Sequence, residues 1–168
     1  MIPAPIPSYD RQRLKALKKL LILDTPAEER FDRITQFAMM EFDMPISQVS
    51  LVDRDRLWSK SNFGMEDLEM PRGLSFCGHA ILERNTLVIP DALKDERFHD
   101  NPLVLGKPWV RFYAGAVLRM PYGAALGTLC VMDTRPRDFD PVDLSILCSL
   151  RDLVIDEMVR RDVCELQP

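Results

Sequence analysis

The chain has 168 residues, 46% hydrophobic and 29% charged, a composition that fits one globular domain and not a disordered or fibrous chain. Its net charge of −4 argues against non-specific nucleic-acid binding, which needs a basic footprint, and no apolar run approaches the roughly 20 residues that span a bilayer. Two histidines exclude a multi-histidine metal site by count, and four dispersed cysteines without a CxxC pair fit reduced thiols in a soluble cytoplasmic protein.

Residues 1–8 are proline-rich and expected to be disordered, ahead of a single domain over 9–168. Residues 9–23 predict a helix, with Leu14, Leu17 and Leu21 on one side and Arg11, Arg13, Lys15, Lys18 and Lys19 around the rest. A second helix is expected to start with Thr25 as cap, Pro26 in the first turn and Glu28 completing a capping box. Phe31, Ile34, Ala38 and Phe42 line one face of it, and Met44-Pro45 stops it. The hydrophobic period then changes to two. Residues 46–53 and 56–61 read as a hairpin, followed by a loop over 62–74. Ser75 can cap a short helix from Phe76 to about Arg84, closed by Asn85. Residues 87–89 form a short strand stopped by Pro90.

Residues 91–110 read as a long loop with at most one helical turn near 94–98, a length usual for functional or mobile segments. Strands over 111–120 and 126–133 are apolar on both faces, so both faces must be covered. Asp140-Pro141-Val142-Asp143 is another capping box and opens a helix running to about Glu165. The order predicts an α+β sandwich. A central antiparallel sheet of five or six strands carries the long terminal helices on one face, with short helices and loops on the other.

P-loop, GxGxxG, GxSxG, HExxH and EF-hand spacings are all absent. In Ser75-Phe76-Cys77-Gly78-His79-Ala80, a helix start would place Cys77 in the first turn, where backbone amides favour a thiolate. Cys77 and His79 would then point about 200° apart, which excludes a nucleophile–base or metal pair. Cys77 reads as a packed, pocket-lining thiol, as a redox-sensitive one or as a catalytic one, and His79 either as a hydrogen-bonded half-buried residue or as a ligand contact. Residues 91–101 gather Asp91, Asp95, Arg97, Phe98, His99 and Asn101, either as a solvated loop or as a lid over a small-molecule cavity. Tyr113 and Trp58 either line that cavity or pack in the core.

Several ordered blocks resemble a bacterial branch of the GAF domain family. They are Leu21-Ile22-Leu23-Asp24-Thr25-Pro26, Val49-Ser50-Leu51-Val52-Asp53, Ser75-Phe76-Cys77-Gly78-His79-Ala80-Ile81, Val88-Ile89-Pro90-Asp91-Ala92, Phe112-Tyr113-Ala114-Gly115 and Gly127-Thr128-Leu129-Cys130-Val131-Met132-Asp133. The similarity runs over about 11–163. It implies a GAF-like sandwich with a small-molecule pocket under the loop-rich face. It also implies a non-catalytic regulatory role in signal transduction, often beside histidine kinase, diguanylate cyclase or phosphodiesterase output domains. The ligand is left open, because such domains bind cyclic nucleotides, bilins, haem, small metabolites or nothing. The cyclic-nucleotide signature is out of register here, and the bilin-bearing cysteine contexts of phytochromes are absent. Free methionine-(R)-sulfoxide reductases share the Cys77-Gly78 context, but residues 91–111 lack the further cysteines found there in those enzymes. Such a reductase is the alternative function, and a dimerisation module without ligand is a third.

The pocket is expected between the sheet and the segments 72–81 and 91–109, lined by Phe76, Cys77, His79, Phe98 and Tyr113. Arg72, Asp91, Asp95, Arg97, Asn101 and Arg111 supply polar groups suited to an anionic or zwitterionic ligand, with no metal. The C-terminal helix carries Leu144, Leu147, Leu150, Val154 and Met158 for the sheet. Ile146, Leu153, Ile155 and Val159 form a second stripe, which is expected to build a parallel homodimer through the terminal helices, the alternative being cover by the N-terminal helix of the same chain.

Overall fold

A computed structural model describes residues 1–164 of the chain. Its elements are helices α1 (Asp10–Lys19) and α2 (Glu29–Glu41), strands β1 (Ile46–Val52), β2 (Arg56–Phe63) and β3 (Glu69–Pro71), helix α3 (Phe76–Ala80), strand β4 (Thr86–Ile89), helix α4 (Pro102–Leu105), strands β5 (Phe112–Arg119) and β6 (Ala125–Asp133), and helix α5 (Pro141–Cys164). The strands form one antiparallel six-stranded sheet in the order β3-β2-β1-β6-β5-β4.

Strand alternation separates two cores. Val49, Leu51, Phe112, Ala114, Leu129 and Val131 face α2 and α5, where they meet Phe31, Ala38, Leu147 and Val154. Ile46, Val52, Tyr113, Val117, Cys130 and Met132 face the other way, toward Phe76, Ile81 and Phe98. This double covering explains why β1 and β6 are buried at every position, the polar Gln48, Ser50 and Thr128 included.

The expected capping box at Asp140 forms. Its Oδ1 accepts from the Val142 and Asp143 amides, both at 2.8 Å, and Asp143 Oδ2 accepts from the Asp140 amide at 3.1 Å. The C-terminal end expected at Glu165 lies outside the described residues. Ser75 also caps as expected, accepting from the Gly78 amide at 2.9 Å, but α3 ends at Ala80, well before Arg84 and Asn85. Asn85 instead accepts from Arg151 of α5 at 2.7 Å. The two segments read as loops hold β3 and α4, elements too short to show a period.

Two helix boundaries differ from expectation for tertiary reasons. α1 stops at Lys19, and Leu21 and Asp24 adopt positive φ angles of 49° and 60°. The turn buries Leu20 and Ile22 completely and leaves Leu21 65% exposed. α2 starts at Glu29, with no side-chain cap. Thr25, Pro26 and Glu28 are used otherwise. The Lys60 side chain has no solvent exposure, and its ammonium donates to Thr25 Oγ1 at 2.8 Å and the Pro26 carbonyl at 2.6 Å, beside Glu28 at 2.6 Å. A buried ammonium needs such oxygens. Lys60 reaches them from a β-bulge, where Val49 pairs with Ser61 but Ser50 pairs with Ser59.

Residues 1–8, expected to be disordered, contain no helix or strand and lie along α3. The Ile2 amide donates to the Arg97 carbonyl at 3.3 Å and the Ala4 amide to the Gly73 carbonyl at 3.4 Å. Ala4 is buried against Gly78, where a Cβ would come within 2.8 Å of the Ala4 methyl.

Candidate functional site

The loop-side face of the sheet is apolar at its ends and polar in its middle. Gln48 and Ser50 of β1, Ser59 of β2, Tyr113 of β5, and Thr128 and Cys130 of β6 share it, and all six are buried. Buried polar groups persist only when hydrogen-bonded, and these bond to one another. Gln48 Nε2 donates to Ser59 Oγ at 3.2 Å and to Asn62 Oδ1 at 3.0 Å, and the Ser50 and Ser59 hydroxyls lie 3.3 Å apart. Register sets the order, because Gln48 pairs across with Cys130 and Ser50 with Thr128, while Cys130 also pairs with Gly115.

α3 lies over this polar strip. Ser75 donates to the Arg72 carbonyl at 2.7 Å while capping the helix, which turns Phe76 and Cys77 down onto the sheet. The Phe76 ring stacks between Phe98 and Tyr113, with centroids 4.4 Å and 5.1 Å away. Cys77 Sγ accepts from Thr128 Oγ1 at 3.1 Å and from Tyr113 Oη at 3.4 Å. Gly115 makes this possible, since a Cβ there would sit 2.2 Å from the Tyr113 hydroxyl. Cys130 lies in the same buried cluster as Cys77. With Thr128, Tyr113 and Ser50 it outweighs burial and lowers the Cys77 pKa. Cys77 in turn, together with burial, pushes the Cys130 thiol well up, and burial followed by the charge on Cys77 raises Tyr113.

Beside the strip is a cavity of about 60 Å³, enough for a few waters at roughly 10–15 Å³ of such space each. Gln48, Ser59, Cys77 and Tyr113 form its polar wall on the sheet side, Asp67 and Glu69 add carboxyl groups on the covering side, and Met65, Met70 and Met132 are part of its apolar wall. Methionines adapt readily to a guest. An outer cleft of about 330 Å³, edged by Lys107 and Trp109, shares Met65, Asp67 and Leu103 with the inner cavity. The loop from Gly64 to Glu69 is thus the principal cover.

Of the expected pocket residues, Phe76, Cys77 and Tyr113 reach the cavity. Phe98 lies behind Phe76. His79 is on the other side of α3, its Nε2 3.0 Å from the Ile2 carbonyl and its ring edge-on to Phe98, and burial pushes its pKa down. The polar groups brace the chain away from the cavity. Arg72 donates to both Asp10 oxygens at 2.8 and 2.9 Å, Arg111 to both Asp91 oxygens at 2.8 and 2.9 Å, and Arg97 pairs with Asp95 at 2.7 Å. Asn101 caps α4, accepting from the Leu103 amide at 2.9 Å, and donates to the Leu74 carbonyl at 2.8 Å. The segment 91–109 therefore supplies only Leu103 to the inner cavity, and the covering loop at 64–70 was not foreseen. Gln48, Ser59 and Thr128 were also missed, although polar residues at alternate positions of strands buried on both faces are a readable signal.

The profile of the GAF domain matches residues 26–155. The chain belongs to the GAF domain family. Cyclic di-GMP phosphodiesterase PA2567 of Pseudomonas aeruginosa is 39% identical to this GAF domain over 137 residues, 82% of this chain and 23% of that protein. The chain thus spans about a quarter of that relative's length. Among solved structures, the GAF domain from a phosphoenolpyruvate-protein phosphotransferase of Coxiella burnetii superposes with a TM-score of 0.70 at 12% identity, over 94% of this chain and 98% of that one. Free methionine-R-sulfoxide reductase from Neisseria meningitidis, in complex with its substrate, superposes with a TM-score of 0.65 at 17% identity, over 93% and 91%. At such identities the likeness establishes the fold. Among the described residues no group of three His, Cys, Asp or Glu side chains converges as a metal site, and no helix is long and apolar enough to cross a membrane.

Proposed function

We propose that this GAF domain is a non-catalytic, cytoplasmic sensory module that binds a small molecule in the cavity under the loop at 64–70. The observation that carries this reading is the cavity itself, with hydrogen-bonding side chains on one wall and adaptable methionines on the other. The expected anionic or zwitterionic ligand loses its basis, because Arg72, Arg97 and Arg111 are all engaged by carboxylates. Gln48 and Ser59 suit a neutral ligand with hydrogen-bonding groups. Transmission runs through β5, whose Tyr113 faces the cavity while Phe112 and Ala114 lie in the core shared with α5. The 39% identity to part of a phosphodiesterase supports an output domain of the signalling kind as partner.

A thermal-shift screen of small neutral metabolites, with cyclic nucleotides as the anionic comparison expected to give no shift, followed by native mass spectrometry of hits, tests the proposal. A ligand at 100 times its Kd stabilises by about 2.7 kcal/mol, a shift of several degrees for a domain of this size. Ser59→Leu, which fills the polar wall, should abolish the shift while the variant remains folded. A screen without any stabilising compound, or hits indifferent to Ser59→Leu, would refute the cavity as the sensing site. The position of Cys77 in the cavity wall favours the methionine sulfoxide reductase as a second reading, and turnover of free methionine sulfoxide with a thiol donor would establish it.

A further inference from the structure

The four cysteines are dispersed in sequence, but the fold brings two of them together. Cys77 Sγ is fixed by Thr128 Oγ1 at 3.1 Å and by Tyr113 Oη at 3.4 Å. Cys130 is two residues along β6 from Thr128 on the same sheet face, and it pairs directly with Gly115, across which the Tyr113 ring is laid. Tyr113 Oη, laid over Gly115 opposite Cys130, and Thr128, two residues from Cys130, thus hold Cys77 Sγ over the part of the sheet that carries Cys130. Both sulfurs are buried and free.

We propose that Cys77 and Cys130 form a peroxide-sensitive dithiol that closes to an intramolecular disulfide beneath the cavity. Access distinguishes the two sulfurs, since Cys77 lines the cavity and Cys130 does not. A cavity with room for a few waters admits hydrogen peroxide and excludes bulky disulfides such as glutathione disulfide. Cys77 is therefore the sulfur attacked first. Its thiolate, held by the Tyr113 and Thr128 hydroxyls, displaces hydroxide from one peroxide oxygen, the O–O bond breaks and a sulfenic acid forms. The hydroxide takes up the proton given by the Cys77 thiol and leaves as water. The Cys130 sulfur then attacks the sulfenic sulfur. The S–S bond forms, the S–O bond breaks, and the departing hydroxyl leaves with the Cys130 proton as a second water. Two thiols are oxidised by two electrons and one peroxide is reduced to two waters. Closure ties α3 to β6 and turns the sulfur that accepts from Tyr113 and Thr128 into a weakly accepting disulfide sulfur, so the cavity wall changes with redox state.

The inference rests on the two thiols and stands apart from the ligand-binding proposal, since its test needs no ligand. The reduced full chain is treated with hydrogen peroxide, quenched, denatured, alkylated with N-ethylmaleimide and mapped by peptide mass spectrometry. The peptides carrying Cys77 and Cys130 should appear joined and lighter by two hydrogens, while Cys148 remains alkylated. Cys130→Ser should stop at the sulfenic acid, trapped on Cys77 by dimedone, and Cys77→Ser should leave Cys130 unmodified. Wild-type protein in which both thiols stay alkylatable while Cys148 is oxidised would overturn the proposal. So would a disulfide from Cys77 to any other cysteine, or dimedone on Cys130 in Cys77→Ser.

Discussion

Asp10 sits between two buried arginines. Its carboxylate accepts from Arg13 Nε at 2.9 Å and from both terminal nitrogens of Arg72, and Arg13 continues to the Val52 carbonyl at 2.5 Å. Arg13 Nη2 and Arg72 Nε have no acceptor in this crowd, so Asp10 is the main compensation for two desolvated cations. Asp10→Asn should cost about 3 kcal/mol, the low end for stranding a buried charge, read from urea unfolding at neutral pH. Burial pushes the Asp10 carboxyl up, but the hydrogen bonds from Arg72 and Arg13 prevail and hold it below its usual value. The unfolded chain therefore takes up the proton first. Asp10's contribution is complete above about pH 4, the ordinary aspartate value, and fades as pH falls below that toward the lower folded value. Wild-type stability should drop along this acid limb more steeply than that of Asp10→Asn, and parallel curves would show that Asp10 is not the group responsible.

At the scale of elements, β5 and β6 join the two cores and build the polar strip. β5 can carry Tyr113 flat across its own surface only because Gly115 follows two residues later. A Cβ at 115 would meet the hydroxyl at 2.2 Å, the ring Cζ at 2.7 Å and Cε1 at 2.9 Å. The ring is wedged against Phe76 and has no free space to yield into on that side. Gly115→Ala should destabilise by about 1–3 kcal/mol, the usual cost of overpacking. It should also break the Tyr113–Cys77 hydrogen bond, visible as a rise in the pH at which Cys77 is alkylated. Tyr113→Phe, which keeps the ring and drops the hydroxyl, should raise that pH with less loss of stability.

For the whole molecule, the terminal helices decide what the domain presents to others. α5 buries Leu147, Leu150, Val154 and Met158 against the sheet. Ile146, Ile155 and Val159 of the second stripe are half-covered by the same core, while Leu153 remains 50% exposed. α1 packs on β6 and is tied to the β1–β2 turn through Arg13 and Asp10, meeting α5 through Arg161, which donates to the Leu20 and Leu21 carbonyls, and α2 is the helix that packs along α5, with Arg30 and Glu157 joined at 3.3 Å. The proposed homodimer therefore centres on Leu153. Light scattering at tens of micromolar should report a dimer, and Leu153→Lys should report a folded monomer of unchanged stability, since that side chain contributes little to the core. A wild-type monomer at that concentration would refute the interface.

How much was legible depended on how far apart the partners lie. The Asp140 box and the Ser75 cap were readable because each donor and acceptor are within three residues, and the two-sided burial of β5 because apolar residues occupy both alternating sets. The α+β sandwich and its GAF ancestry follow from such local patterns repeated along the chain. Distant partners changed the rest. Thr25 and Pro26 suit a helix start, yet Lys60, 35 and 34 residues away, claims their oxygens. Arg72 suits an anionic ligand, yet Asp10, 62 residues away, takes it. The candidate site is the extreme case, since Gln48, Ser59, Cys77, Tyr113 and Thr128 come from five elements. Sequence by itself determined which residues alternate, cap and bury, because those preferences are settled within a few residues. Tertiary structure alone decided which polar groups satisfy one another and where a cavity is left, because a buried charge or hydroxyl takes whichever partner the register brings within reach.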